Sequence, residues 1–178
     1  MEVGNTPLIQ LSDKLYGKLE AVNPGGSIKD RPVKYILDRM DLEEGDTIIE
    51  ATSGNTGISL AMMCAERGYK CVIVMPSDMS EERKKMMKFF GAELQEVSEG
   101  NFDEAIEVKE RLADTWGYKQ LNQFNNELNI ECHRNTTFEE IQYQMPQHIS
   151  AYILGTGTGG TLMGIAHGVQ ETDMGPTK

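Results

Sequence analysis

Two turns and one lysine carry the side chains that can do chemistry. The first turn is Thr52-Ser53-Gly54-Asn55-Thr56-Gly57 and the second is Gly155-Thr156-Gly157-Thr158-Gly159-Gly160-Thr161. Each follows a short apolar run and precedes an amphipathic segment, so each joins a strand to a helix. Glycines at such a place let the backbone turn sharply and approach a ligand, while free N–H groups and the dipole of the next helix favour an anion. Taken alone, either turn reads equally well as a plain connection or as an anion cradle; two in one short chain favour the cradles. Lys29 follows Gly25-Gly26-Ser27 at the start of a helix whose first turn tolerates Pro32.

Other chemistry is excluded by what surrounds these turns. The second contains Gly155-x-Gly157-x-x-Gly160, but a dinucleotide site needs a following strand and an acidic residue about 20 positions on. The residues after Gly168 contain no apolar run for that strand. Neither turn ends in Gly-Lys-Ser/Thr, so neither is a P-loop. His133, His148 and His167 lack ligand spacing, and Cys64, Cys71 and Cys132 form no Cys-x-x-Cys pair, so no metal site is expected.

The elements that must hold the turns alternate along the chain. Apolar runs at Thr47–Ala51, 71–75, Glu93–Val97 and 118–121 are each followed or separated by helical patterns at 58–67, 81–90 and Phe102–Trp116. This is the pattern of βα units in a parallel open sheet flanked by helices. Cys71-Val72-Ile73-Val74-Met75 is apolar throughout, as for a strand covered on both faces, whereas Glu93-Leu94-Gln95-Glu96-Val97 alternates and suits an edge. Ser80 is placed to cap the 81–90 helix, Asn101 with Glu104 makes a capping-box pattern, and Gly91 and Gly117 stand at helix stops. A short strand is expected near Lys18, a helix over 136–143, a strand over 151–154, and a final helix after the second glycine turn. The methionine pairs Met62-Met63 and Met86-Met87 read as core filling, the 81–88 run as a solvated helix face, and Cys64 and Cys71 as inert thiols beside a buried strand.

The 178 residues bound the chain to one domain or two small ones, with 39% of residues hydrophobic and room for a core. A formal charge of −11 offers no basic surface for nucleic-acid phosphates or an anionic membrane, so neither is an expected partner. Three cysteines without a framework fit a reducing cytoplasm. The first residues show no leader pattern, and no apolar run is long enough to span a bilayer. A cytoplasmic protein is the expectation.

Several motifs occur in a fixed order. They are Gly4-Asn5-Thr6-Pro7-Leu8, Lys18-Leu19-Glu20, Asn23-Pro24-Gly25-Gly26-Ser27-Ile28-Lys29-Asp30-Arg31, Glu50-Ala51 with the first turn, and Met75-Pro76 with Met79-Ser80 and Arg83. Gln123-Phe124-Asn125 and the second turn complete the series. In this order they resemble the cysteine synthase branch of the fold-type II pyridoxal-phosphate enzymes, especially the bacterial B-type form and the related cystathionine β-synthases. The resemblance runs to about Gly168.

That resemblance implies pyridoxal 5′-phosphate as cofactor and a small amino-acid substrate. Lys29 is then similar to the Schiff-base lysine, which also removes the substrate α-proton. Asn55 resembles the residue that bonds the cofactor 3′-oxygen. Thr52, Ser53, Thr56 and Gln123 resemble the pocket for the substrate carboxylate, and Gly157, Thr158, Gly159, Gly160 and Thr161 resemble the phosphate cup. The implied reaction is β-replacement: O-acetylserine plus sulfide or another thiol, through an aminoacrylate, giving cysteine or an analogue. A shortened, non-catalytic homologue that binds the cofactor or a partner is the alternative.

The implied division is a small mobile α/β domain over 33–122 and a partial larger domain of 1–32 with 123–178. Members of the family are longer, and the resemblance implies an incomplete second domain without the serine segment that meets the cofactor's pyridine nitrogen. An open sheet edge and uncovered apolar surface are then expected, and with them a homodimer or a partner chain that completes the sheet. Where the family reads Thr-Thr-Gly-Pro-Glu-Ile, this chain reads Thr136-Thr137-Phe138-Glu139-Glu140-Ile141.

Overall fold

The computed structural model describes residues 1–174. They divide into two compact units, one of Met1–Ile36 with the chain from Gln123 on, the other Leu37–Asn122.

The second unit is built on a four-stranded parallel sheet. Its strands are β3 (Thr47–Ala51), β4 (Lys70–Pro76), β5 (Glu93–Val97) and β6 (Lys119–Gln120), in the order β5-β4-β3-β6. Thr47 pairs with Lys70 and Val72 with Glu93. The helices between them are α2 (Asn55–Arg67), α3 (Glu81–Phe89) and α4 (Phe102–Trp116). Strand β4 is inner and buried from Cys71 to Pro76, while β5 is an edge and mostly exposed, as their apolar patterns require. Asn101 Oδ1 accepts from Glu104 N at 3.0 Å, but the Glu104 carboxylate turns to Ser98 N, not back to Asn101. Gly117 ends α4 at φ +69°. Ser80 takes the N-cap place of α3 without a side-chain cap bond.

The solvated-face expectation for α3 needs correction at Lys84, which is buried, while buried Met87 agrees with the core-filling reading. Lys84 Nζ donates to Ser77 O at 2.6 Å and pairs with Glu96 at 2.8 Å, which satisfies its charge. Met63 and Met87 fill the core, while Met86 is exposed. Cys64 and Cys71 are buried free thiols, and contact with Cys64 together with burial pushes the Cys71 thiol up.

The first unit opens with an antiparallel hairpin of β1 (Leu8–Ser12) and β2 (Leu15–Lys18), followed by the 3₁₀ turn Glu20–Val22 and helix α1 (Asp30–Leu37). After Gln123 come α5 (Leu128–Cys132), a π-helical stretch His133–Phe138 and α6 (Glu139–Gln144), which run on as one rod of helical backbone. The helix thus begins well before the expected 136. The segment 151–154 forms no strand among the described residues: its backbone has no ladder partner, and Ile153 is 86% exposed. Last is α7 (Gly160–Met174).

Replacement of the Gly-Pro pair is absorbed by packing. Phe138 is buried, and its ring lies where any side chain at Gly168 of α7 would stand. Gly164 makes a second close approach, since a Cβ there would lie 2.7 Å from Ile130 O and from His133 Cβ. Glycines on α7 therefore let it press against the α5–α6 rod. A groove of about 550 Å³ lies along this unit, lined by Leu8, Leu15, Ile141, Met145, Tyr152 and Leu154 among others.

Candidate active site

The loop before Lys29 is fixed by its own polar groups. Asn23 is buried, accepts from Gly4 N at 2.9 Å, and donates to Glu20 O and Glu20 Oε2, both at 2.9 Å. Asp30 Oδ2 accepts from Gly25 N at 2.6 Å, and Ser27 Oγ accepts from Lys29 N at 3.2 Å. Lys29 is thereby set at the entrance to α1. Its side chain is half-buried, and burial lowers the pKa of its ammonium. A desolvated amine spends more of its time unprotonated, which is the state a nucleophile or base requires.

Behind the loop, Arg31 is almost fully buried and gathers distant carboxylates. It bonds Glu20 through Nε at 2.7 Å and Glu140 through Nη1 at 2.7 Å, while Thr6 Oγ1 takes a third contact at 3.1 Å. Lys18 Nζ pairs with Glu140 at 2.7 Å. Burial alone would raise the Glu140 carboxyl, but Arg31, Lys18 and the Asn5 amide hold it down at about 2. Burial likewise opposes charge on Arg31, and Glu140 with Glu20 overcomes it and raises its pKa.

The second glycine turn stands at the N-terminus of α7, which starts at Gly160. Gly159 has φ +82°, a conformation that a side chain disfavours. A Cβ at Gly155, Gly157 or Gly159 would meet nothing within 4 Å, so the turn is open on that side. A Cβ at Gly160 would overlap Asn129. Asn129 is buried; its Nδ2 donates to Gln123 O at 3.0 Å and to Thr158 Oγ1 at 2.9 Å. One helical turn on, His133 is 1% exposed, with Nδ1 2.9 Å from Thr137 Oγ1 and Nε2 3.3 Å from Thr161 Oγ1. Burial first, then the charges of Lys29 and Arg31, depress its pKa to about 4. His133 is neutral near pH 7.

Of the residues singled out in the sequence, the first unit holds Lys29, Gln123 and Gly157, Thr158, Gly159, Gly160 and Thr161. Gln123 and Thr158 are joined through Asn129. The second unit holds Thr52, Ser53, Asn55 and Thr56 on the β3–α2 turn. There Gly54 N donates to Thr52 Oγ1 at 3.3 Å, Arg83 donates to Ser53 O at 3.3 Å, and no side chain caps α2. At Gly57 a Cβ would lie 2.7 Å from Met87 Cε and 3.0 Å from Thr52 Cγ2, so the turn is closely packed there.

Asn129 and Glu140 were not singled out, and His133 was set aside as lacking ligand spacing. The signal for Asn129 and His133 was the i, i+4, i+8 spacing of Asn129, His133 and Thr137, visible only once the helix is known to start before 136. No group of metal-ligating side chains occurs among the described residues, and none of their helices is long and apolar enough to cross a membrane.

The donor set suits pyridoxal phosphate: a desolvated amine at Lys29, and an open glycine turn with two hydroxyls at a helix N-terminus for a phosphate. Comparison with known proteins agrees. The family described as Pyridoxal-phosphate dependent enzyme matches residues 1–177. A cysteine synthase of Staphylococcus aureus (strain Mu50) is 42% identical over 180 residues, covering 92% of this chain and 57% of the relative. Cysteine synthase B of Pseudomonas aeruginosa is 42% identical, covering 95% of this chain and 60% of the relative. The crystal structure of a hydrogen sulfide-producing enzyme from Fusobacterium nucleatum superposes with a TM-score of 0.87 at 40% identity, covering 96% of this chain and 61% of that one. The chain thus spans roughly three-fifths of the length of these relatives. By motif order, fold and these matches, the chain belongs to the pyridoxal-phosphate dependent enzyme family and, within it, is similar to the cysteine synthases.

Proposed function

We propose that the protein catalyses a pyridoxal-phosphate-dependent β-replacement of the cysteine synthase kind, on O-acetylserine or a related serine ester with sulfide or another thiol. The observation that carries this reading is Lys29: a half-buried amine with a lowered pKa, on a loop locked by Asn23, Ser27 and Asp30. When bound, the cofactor supplies the electron withdrawal that makes the substrate α-proton removable.

The chain's own residues divide the remaining work. Lys29 Nζ would hold the cofactor until the substrate amine displaces it, and the freed Lys29 amine would then take the proton from Cα and later return it. The amides of Gly157 and Gly159, with the hydroxyls of Thr158 and Thr161, hold the phosphate at the α7 N-terminus, where Gly160 begins the helix. Asn55 bonds the cofactor 3′-oxygen, and Thr52, Ser53, Thr56 and Gln123 bind the substrate carboxylate and so orient the α-C–H bond. Over the whole reaction the Cβ–O bond is exchanged for a Cβ–S bond, acetate leaves, and the thiol proton is released to solvent.

The same reading takes 33–122 as a small mobile domain and 1–32 with 123–178 as the part that carries the cofactor, a division supported by the two compact units. It places the protein in the cytoplasm, in keeping with three buried cysteines that form no disulfide among the described residues. It also assigns a homodimer or a sheet-completing partner, supported by the unpaired segment 151–154. Sizing in solution tests the last point, and a well-behaved monomer would contradict it.

The main test is spectroscopic. Purified protein given pyridoxal phosphate is expected to gain a visible absorption band that Lys29→Ala lacks. O-acetylserine is expected to shift the band, and sulfide to restore it with release of cysteine. A chain that gains no band would refute the reading.

A further inference from the structure

The amide of Asn129 is oriented without ambiguity. Its Nδ2 lies 3.0 Å from Gln123 O, a carbonyl that can only accept, so the NH₂ end must face it. The second amide proton goes to Thr158 Oγ1 at 2.9 Å. Asn129 Oδ1 is buried with no hydrogen-bond partner among the described residues. A buried amide that leaves its oxygen unpaired bears a desolvation cost, so its two donated bonds matter more than satisfaction of the side chain itself.

The consequence falls on Thr158. Its oxygen accepts from Asn129 Nδ2 and, more weakly at 3.4 Å, from Gly160 N. Two accepted bonds fill both lone pairs of a hydroxyl, and its single proton is left to donate. That proton has no acceptor among the described residues. Gly160 makes the arrangement possible, because any side chain there would displace Asn129.

We propose that Asn129 is a positioning residue for the phosphate cup: by donating to Thr158 Oγ1 and to the Gln123 carbonyl, it commits the Thr158 O–H as a donor to an incoming phosphate and fixes the Gln123 backbone against the same turn. The proposal rests on the reading of 157–161 as that cup. Orienting the hydroxyl before the phosphate arrives removes the cost of turning it from an acceptor to a donor on binding.

A double-mutant cycle on cofactor binding tests this, with the equilibrium dissociation constant of pyridoxal phosphate for the apo chain read from the visible band. A hydrogen bond to a charged group corresponds to about tenfold to a hundredfold in affinity. Thr158→Val and Asn129→Ala are each expected to weaken binding by about tenfold or more. Together they are expected to weaken it no further than Thr158→Val alone, to within about twofold. Losses that multiply would show a merely structural role for Asn129 and overturn the proposal, as would an unchanged affinity in either single variant. A wild-type chain that binds no pyridoxal phosphate would refute the cup itself and the proposal with it. If Asn129→Ala does not fold, as judged by thermal melting of the apo chain, Asn129→Ser goes through the same cycle with the same outcomes.

Discussion

Arg31 and Glu140, 109 residues apart in sequence, meet as a two-bonded pair, with Nη1 to Oε1 and Nη2 to Oε2 both at 2.7 Å. The pair ties the helix that begins beside Lys29 to the rod that carries Asn129 and His133. A planar guanidinium matches a carboxylate in this geometry as a lysine ammonium cannot.

Removing Glu140 leaves Arg31 buried with Glu20 as its remaining carboxylate. Breaking a fully buried pair costs about 3–5 kcal/mol, and partial exposure of Glu140 together with the second carboxylate brings the expectation to about 2 kcal/mol. Glu140→Ala is therefore expected to lower the urea midpoint clearly, with the slope unchanged. A loss below about 0.5 kcal/mol would mean that the network adapts and that Glu140 is not its anchor.

His133 makes stability depend on pH in a window of its own. Its folded-state pKa is about 4 against an ordinary 6.5, so between those values the unfolded chain binds more protons than the folded one. The contribution is complete above pH 6.5 and is lost as pH falls towards 4, amounting to about 3 kcal/mol. Glu140, held at about 2, gives up its share only below about pH 4.5. Denaturant unfolding from pH 7 to 4 should show the His133 loss, and His133→Asn should flatten it; an equal slope in both chains would assign the effect elsewhere.

Packing of Phe138 over Gly168 makes a coupled prediction. Gly168→Ala puts a methyl group where the ring stands and is expected to cost about 1–3 kcal/mol by overpacking. In a Phe138→Ala background the methyl has room, and the same change is expected to cost little. Equal costs in both backgrounds, read from thermal midpoints, would show that the glycine serves another purpose.

What could be read beforehand follows the range of the interactions. The bounds of β5 and α4 were legible to the residue, because period and capping are local signals, and β4 was legible as an inner strand. The helix over 128–135 was not, because Asn129 and Asn135 are poor helix formers and the segment is held by packing on α7. The 151–154 run has the composition of a strand but lacks a ladder partner among the described residues, and strand preference is realised only through pairing. Both glycine turns were visible from residue type and spacing. Asn129 and His133 were not, since their partners Thr158 and Thr161 lie 29 and 28 residues away.

Lys29 should show its burial in the kinetics of cofactor capture. Only the unprotonated amine can attack the cofactor's carbonyl carbon, and burial lowers the pKa below the ordinary 10.5 of lysine. Below that depressed pKa the capture rate should rise with pH, and it should level off before 10.5, because further deprotonation adds no more free amine. Stopped-flow growth of the visible band across a pH series, at fixed free cofactor, gives the midpoint directly. The ring phenol and phosphate of the cofactor titrate too, so the same series run with a small primary amine separates their part. A midpoint at or above 10.5 would mean that Lys29 is solvated when it reacts, and the nucleophile would have to be sought elsewhere.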